Sequence, residues 1–174
     1  MTSFTAYLDE GLTLALALVN NISQERHGLP AHPRSRAVSV RVDEPAAVRR
    51  LSERLRAIVE QQEASKAVSL LNKLLSDYEA APELGLEAPG RWRLHLHPVN
   101  ATAEALDAVK AASGLAALID QDRWGTLKSC AASHCDDMFH DRSRNNGRHY
   151  CTRTCANRIN AQHARARLRD ASTE

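Results

Sequence analysis

The sequence predicts a mainly α fold with a small β component (α+β): a helical N-terminal domain with a short β-hairpin, then a small cysteine-rich module. Three observations carry that expectation. Leu, Ala and Val recur at helical spacing along most of the chain up to about Asp120. One pair of short apolar runs flanks Pro89-Gly90, and all four cysteines fall between Cys130 and Cys155.

Leu8, Leu12, Ala15, Val19 and Ile22 lie on one helical face, so a first helix is expected over 5–20, capped by Ser3 or Thr5. Gly28, Pro30 and Pro33 then break the periodicity, giving a long exposed loop over 23–37. VSVRV, Val38 to Val42, alternates as a short strand would. Asp43-Glu44-Pro45 supplies a cap, an acid in the first turn and an early proline. A second helix therefore runs to about Gln62, with Val48, Leu51, Leu55, Ile58 and Val59 in one stripe. Ser65 opens a third, with Val68, Leu71, Leu74, Leu75 and Tyr78 inward. LGLEA and WRLHL form the hairpin. Trp92, Leu94 and Leu96 are expected on its buried face, and Arg93, His95 and His97 on its outward face. Asn100 is expected to cap an Ala-rich helix ending near Asp120, with Gly114 inside it.

These elements divide the chain into a helical domain, 1–122, a metal module with a basic helix, 123–170, and a tail, 171–174. With only seven aromatic residues, the larger core must rest on aliphatic side chains. The net charge of +2 hides an asymmetry: from Arg123 onward ten Lys/Arg face five Asp/Glu, whereas the preceding residues carry a net −3. A polyanion, if one binds, meets the C-terminal part. LTLALALV, Leu12 to Val19, is too short to span a membrane and is wrongly flanked for a signal peptide. A cytoplasmic location with reduced thiols is expected, and no membrane partner.

The cysteines read C-x4-C-x15-C-x3-C: Cys130, Cys135, Cys151 and Cys155. Two close pairs of soft ligands suit one tetrahedral zinc ion. Cys130 and Cys135 bracket a knuckle. Asn145-Asn146-Gly147 signals a hairpin between the pairs, and Cys151 and Cys155 fall one turn apart at the start of a helix over about 152–169. Knuckle, hairpin and helix start make a treble-clef-like zinc finger. His134, His140 and His149 are the alternative ligands, but four sulfurs already complete the shell, so the ion is structural. Without it, so short a module would hardly fold. Glu60, His95 and His97 offer no nucleophile–base pattern, and no enzyme is expected.

On the last helix Arg165 and Arg169 fall about 20° to either side of Arg158, with Gln162 beside them. Arginine and glutamine on one face suit phosphate oxygens and base edges. With Arg148, Arg153 and Asn157 they form the expected contact set for double-stranded DNA. The rival readings are a solvated helix and, for Asn157 and Arg158, packing of the finger on the N-terminal domain.

From about Trp124 to Arg169 the chain resembles the CGNR-type zinc finger of bacterial transcription regulators. The likeness rests on the four cysteines, Phe139-x-Asp141-x-Ser143-Arg144-Asn145, Arg148 and Cys155-Ala156-Asn157-Arg158. LALVNN (16–21) and WRLHL (92–96) resemble the ABATE-type domain that usually precedes this finger. The resemblance implies a stress-induced transcriptional regulator with a zinc-dependent DNA-binding module and a small-molecule effector at the N-terminal domain. One finger is a small reader and specific binders often dimerise, so a homodimer is expected. Ala156 replaces the family's Gly, and Ala17 stands where the family has Asp, which puts an effector site at that position in question. The alternative function is a protein-interaction or oligomerisation module with zinc as a clasp.

Overall fold

The computed structural model describes residues 4–27, 40–41, 44–88 and 90–171. The strand expected at Val38 to Val42 lies largely outside them, as do Ser3, Asp43 and most of the expected loop; Val40 and Arg41 carry no regular structure. The chain is mainly helical with two small antiparallel sheets, and it divides into two compact units, Met1–Gly125 and Thr126–Glu174.

The first unit contains α1 (Phe4–His27), α2 (Pro45–Val59), α3 (Ala64–Asp77), β1 (Ala80–Ala88), β2 (Arg91–Pro98) and α4 (Ala103–Asp120). Its core is aliphatic: Leu14, Leu18, Val19, Leu51, Leu55, Ile58, Leu74, Val109 and Leu115 are fully buried. The helix α1 runs past the expected end at residue 20. Asn20 and Asn21 do not stop a helix whose next residues include Gln24, Glu25 and Arg26, and no glycine follows Gly11 until Gly28. Helices α1 and α4 pack at very close range. A Cβ on Gly114 would collide with the backbone of Gly11 and Leu12, and one on Gly11 would strike the Lys110 carbonyl. Gly114 therefore permits the approach, at a cost in helix propensity of up to about 1 kcal/mol.

Two caps differ from expectation. Glu44 takes the N-cap position of α2 without a side-chain cap bond, so it precedes the first turn, and Pro45 fills the first helical position. At α4 the cap is Thr102, whose Oγ1 accepts from the Ala105 N–H at 3.1 Å. Asn100 instead donates to Glu79 Oε2. The Tyr78 hydroxyl donates to Glu104 Oε1 at 2.6 Å; burial and that carboxylate push the phenol up to about 12. The Trp124 indole donates to the Gln61 carbonyl at 2.9 Å.

The hairpin forms as expected, with Leu84 opposite Leu94, Leu86 opposite Trp92 and Gly90 at a φ of 75° in its turn. Its faces are reversed. Trp92 and Leu94 are exposed, whereas Arg93 and His95 are half-buried. The His95 ring stands edge-on to Tyr7, with centroids 4.9 Å apart, in the space that Gly85 leaves beside it. A period of two says which residues share a face and nothing about which face turns inward. His97 is exposed as expected, and Leu96 is half-buried.

Candidate metal centre

The second unit is built from β3 (Leu127–Ser129), β4 (Met138–His140) and α5 (Arg153–Ala171). The strands β3 and β4 pair antiparallel, Leu127 with His140 and Ser129 with Met138, so the hairpin encloses the first cysteine pair. The Cys130 N–H donates to the Asp137 carbonyl and the Cys135 N–H to the Ala132 carbonyl, which curls the chain into the knuckle. The hairpin expected around Asn145-Asn146-Gly147 does not form. A two-residue type I′ turn needs left-handed φ at both central positions. Here Asn146 has a φ of 47°, and Gly147 is not left-handed. The turn closes instead on Ser143, whose carbonyl accepts from the Asn146 N–H and whose Oγ accepts from the Gly147 N–H.

Asp141 organises this loop. It is 1% exposed; Oδ2 accepts from Lys128 Nζ and the Arg148 N–H, and Oδ1 accepts from the Ser143 N–H. Burial would raise its carboxyl, but the hydrogen bonds from Ser143, Lys128 and Arg148 outweigh that and hold it below the usual carboxylate range. Lys128 Nζ also reaches the Asn146 carbonyl. Arg148, one of the expected DNA contacts, is half-buried: its guanidinium donates to the Cys151 carbonyl at 3.0 Å and lies 5.4 Å from the Phe139 ring centroid. That engagement ties the loop to the second cysteine pair. The Ala131 N–H, bonded to the His149 carbonyl, ties it to the first.

Cys151 lies just before α5 rather than in its first turn. Thr152 caps the helix, its Oγ1 accepting from the Cys155 N–H at 3.2 Å. The four thiols converge. All four sulfurs lie within 4.8 Å of one another; Cys151 Sγ is 3.7 Å from Cys135 Sγ and 3.6 Å from Cys155 Sγ. Four thiolates at about 2.3 Å from a tetrahedral ion have sulfur–sulfur edges of about 3.8 Å. A disulfide would bring two sulfurs to about 2.05 Å, so all four cysteines are free.

Residues 126–168 match the CGNR zinc finger family. No curated protein matches the chain.

The finger carries four cysteines positioned to bind a metal ion, and the cluster contains no histidine. His134, His140 and His149 are thus not brought into it; His140 Nδ1 accepts from Arg142 Nε instead. Cys130 and Cys151 are buried with Ala132, Phe139 and Ile159 in a small core, against which Cys135, Cys155 and Tyr150 pack. Electrostatics favour a cation there. Burial and the neighbouring thiolates push the Cys151 thiol up, and burial is the main cause that pushes Cys135 up to about 12. At Cys130 burial works the other way from the Cys151 and Ala132 N–H groups, which prevail and lower its thiol. Four thiolates in this space are compatible with neutral pH only when a bound cation offsets their charge.

The remaining expected contacts lie on α5. Arg153, Asn157, Arg158, Gln162, Arg165 and Arg169 are all exposed, and the helical repeat sets Arg158, Gln162, Arg165 and Arg169 on one face. Ile159 is the buried side chain that seats the helix in the finger's core. Sequence reasoning missed Lys128, the cation that pairs with Asp141. A lysine in a three-residue strand looks like any solvated charge, and only the fold shows its ammonium turned onto the loop.

Proposed function

We propose that the protein is a zinc-dependent DNA-binding transcriptional regulator. One zinc ion would be held by Cys130, Cys135, Cys151 and Cys155. Bound there, it would replace the thiol protons and clamp the knuckle to the start of α5; with four protein ligands it has no open position for water, so its role is structural. The observation that carries the reading is the exposed face of α5, where Arg158, Gln162, Arg165 and Arg169 align beyond the metal site. Arginine there neutralises phosphates, and glutamine adds a group able to read a base edge. Arg153 and Asn157 extend the surface toward the helix start, while Arg148 supports it from within the finger.

The helical unit fits the role of an ABATE-type sensory domain in a stress-induced bacterial regulator acting in the cytoplasm. Among the described residues, no helix is long and apolar enough to cross a membrane. Ala17 is buried in α1, so an effector site there would meet only a methyl group.

The test is affinity for duplex DNA as a function of salt. Three phosphate-contacting arginines contribute about −3 to the slope of log affinity against log salt. Replacing Arg158, Arg165 and Arg169 by Ala should remove that contribution and weaken binding at least tenfold, with zinc content unchanged at one per chain. Binding and slope that survive the triple substitution would eliminate α5 as the reader.

A further inference from the structure

The reversed hairpin leaves a sheet face that no described residue of the helical unit covers. Leu84, Leu86, Trp92 and Leu94 are 63%, 56%, 62% and 57% exposed, the two cross-strand pairs lying side by side. Pro82 and half-buried Leu96 continue the same face, which carries no charged side chain at these six positions. Soluble domains place such a face inward. The opposite face is small and polar: Ala81, Gly85, Arg93 and His95 on it are half-buried, while Glu83 and His97 are exposed.

We propose that this face is a self-association surface, on which the hairpin of a second copy of the chain packs face to face. Three observations favour a second copy over a different partner. The face lacks charge, so it offers nothing to orient a polyanion or an acidic or basic peptide. It can meet its own copy: a two-fold axis lying between two stacked faces, parallel to the strands, sets the pairs Leu84–Leu94 and Leu86–Trp92 each against its equivalent, as an isologous interface requires. Its extent, on the order of 400 Å², falls in the range of the largest apolar patch on a monomer, which is often functional. That is about half of what one partner in a standard interface buries, near 800 Å², which places the association in the weak, concentration-dependent class.

On the β1 side the geometry also favours stacking over edge-to-edge pairing. Pro82, the third residue of β1, removes a donor there, which blunts the start of that edge against an added strand. Two faces stacked about 10 Å apart would bury the leucines and the indole together, giving the two-layer arrangement that a lone hairpin lacks.

The dimer needs neither metal nor DNA, so its failure would leave the reading of α5 standing. The experiment is sedimentation velocity on the full zinc-loaded chain from about 1 to 200 µM, together with Trp92 emission. The wild type should pass from monomer to dimer across that range, with an emission blue shift that tracks it; Trp124 is already buried and contributes a constant background. The double variant Leu84→Glu, Leu94→Glu puts four like charges at the centre of the interface. It should stay monomeric throughout, with at least a tenfold loss of self-affinity and unchanged helix content. Trp92→Ser should weaken the dimer less. A wild type that is monomeric at every concentration would overturn the proposal. So would a dimer that the double variant leaves intact, or Trp92 emission already shielded in the monomer, which would mean that the chain covers the face itself.

Discussion

The two units of this chain hold themselves together by different means. Met1–Gly125 buries a broad aliphatic core across four helices. Among the described residues of Thr126–Glu174 only eight are buried, two of them cysteines and two of them aspartates, and hydrogen bonds around Asp141 hold its loop. One unit is stabilised by area removed from water. The other has little area to bury and sets four sulfurs where one cation could hold them.

The largest expected effect breaks the comparison at its weak side. Cys151→Ser removes the sulfur that lies 3.7 Å from one partner and 3.6 Å from another. It should forfeit much of a metal-binding free energy on the order of 10 kcal/mol and unfold the finger, while the helical unit keeps its melting transition. Calorimetry on the full chain should show one transition lost and one preserved. A finger that still melts cooperatively in this variant would break the distinction.

A smaller effect sharpens the other side. Gly114→Ala gains up to about 1 kcal/mol of helix propensity, yet its methyl would meet the α1 backbone, which cannot yield as a side chain can. Overpacking of this kind costs about 1–3 kcal/mol or more. The net result should be a lower denaturation midpoint for the helical unit and unchanged metal affinity of the finger. A stabilised protein would show that α1 and α4 are not held as close as described.

Smallest is Thr102→Ala. It removes the cap that accepts from the Ala105 N–H and should cost the helical unit about 1 kcal/mol, read as a modest midpoint shift. An equal loss from Asn100→Ala would indicate that the cap had been placed two residues too late.

Much of this was readable in the chain before any coordinates. The helical stripes located α2, α3 and α4 to within a few residues, because amphipathic periodicity is imposed by burial itself. Cysteine spacing alone gave the four converging sulfurs. What escaped was decided between elements. The alternation in WRLHL fixed two faces and not their orientation, which depended on whether the helices had already filled their own core. Asn146-Gly147 carries a hairpin signal, yet Asp141 and Ser143 captured the loop first with hydrogen bonds that no local pattern reveals. Lys128 likewise acquired its role from a carboxylate thirteen residues away.

The central claim is that a metal ion, and not apolar burial, orders the finger. Elemental analysis of the purified full chain, with backbone amide spectra recorded before and after a strong chelator, tests it most directly. The account predicts one zinc per chain, and chelation that collapses the dispersed amides of residues 126–171 while those of the helical unit stay in place. Metal-free protein in which those finger amides remain dispersed would contradict it.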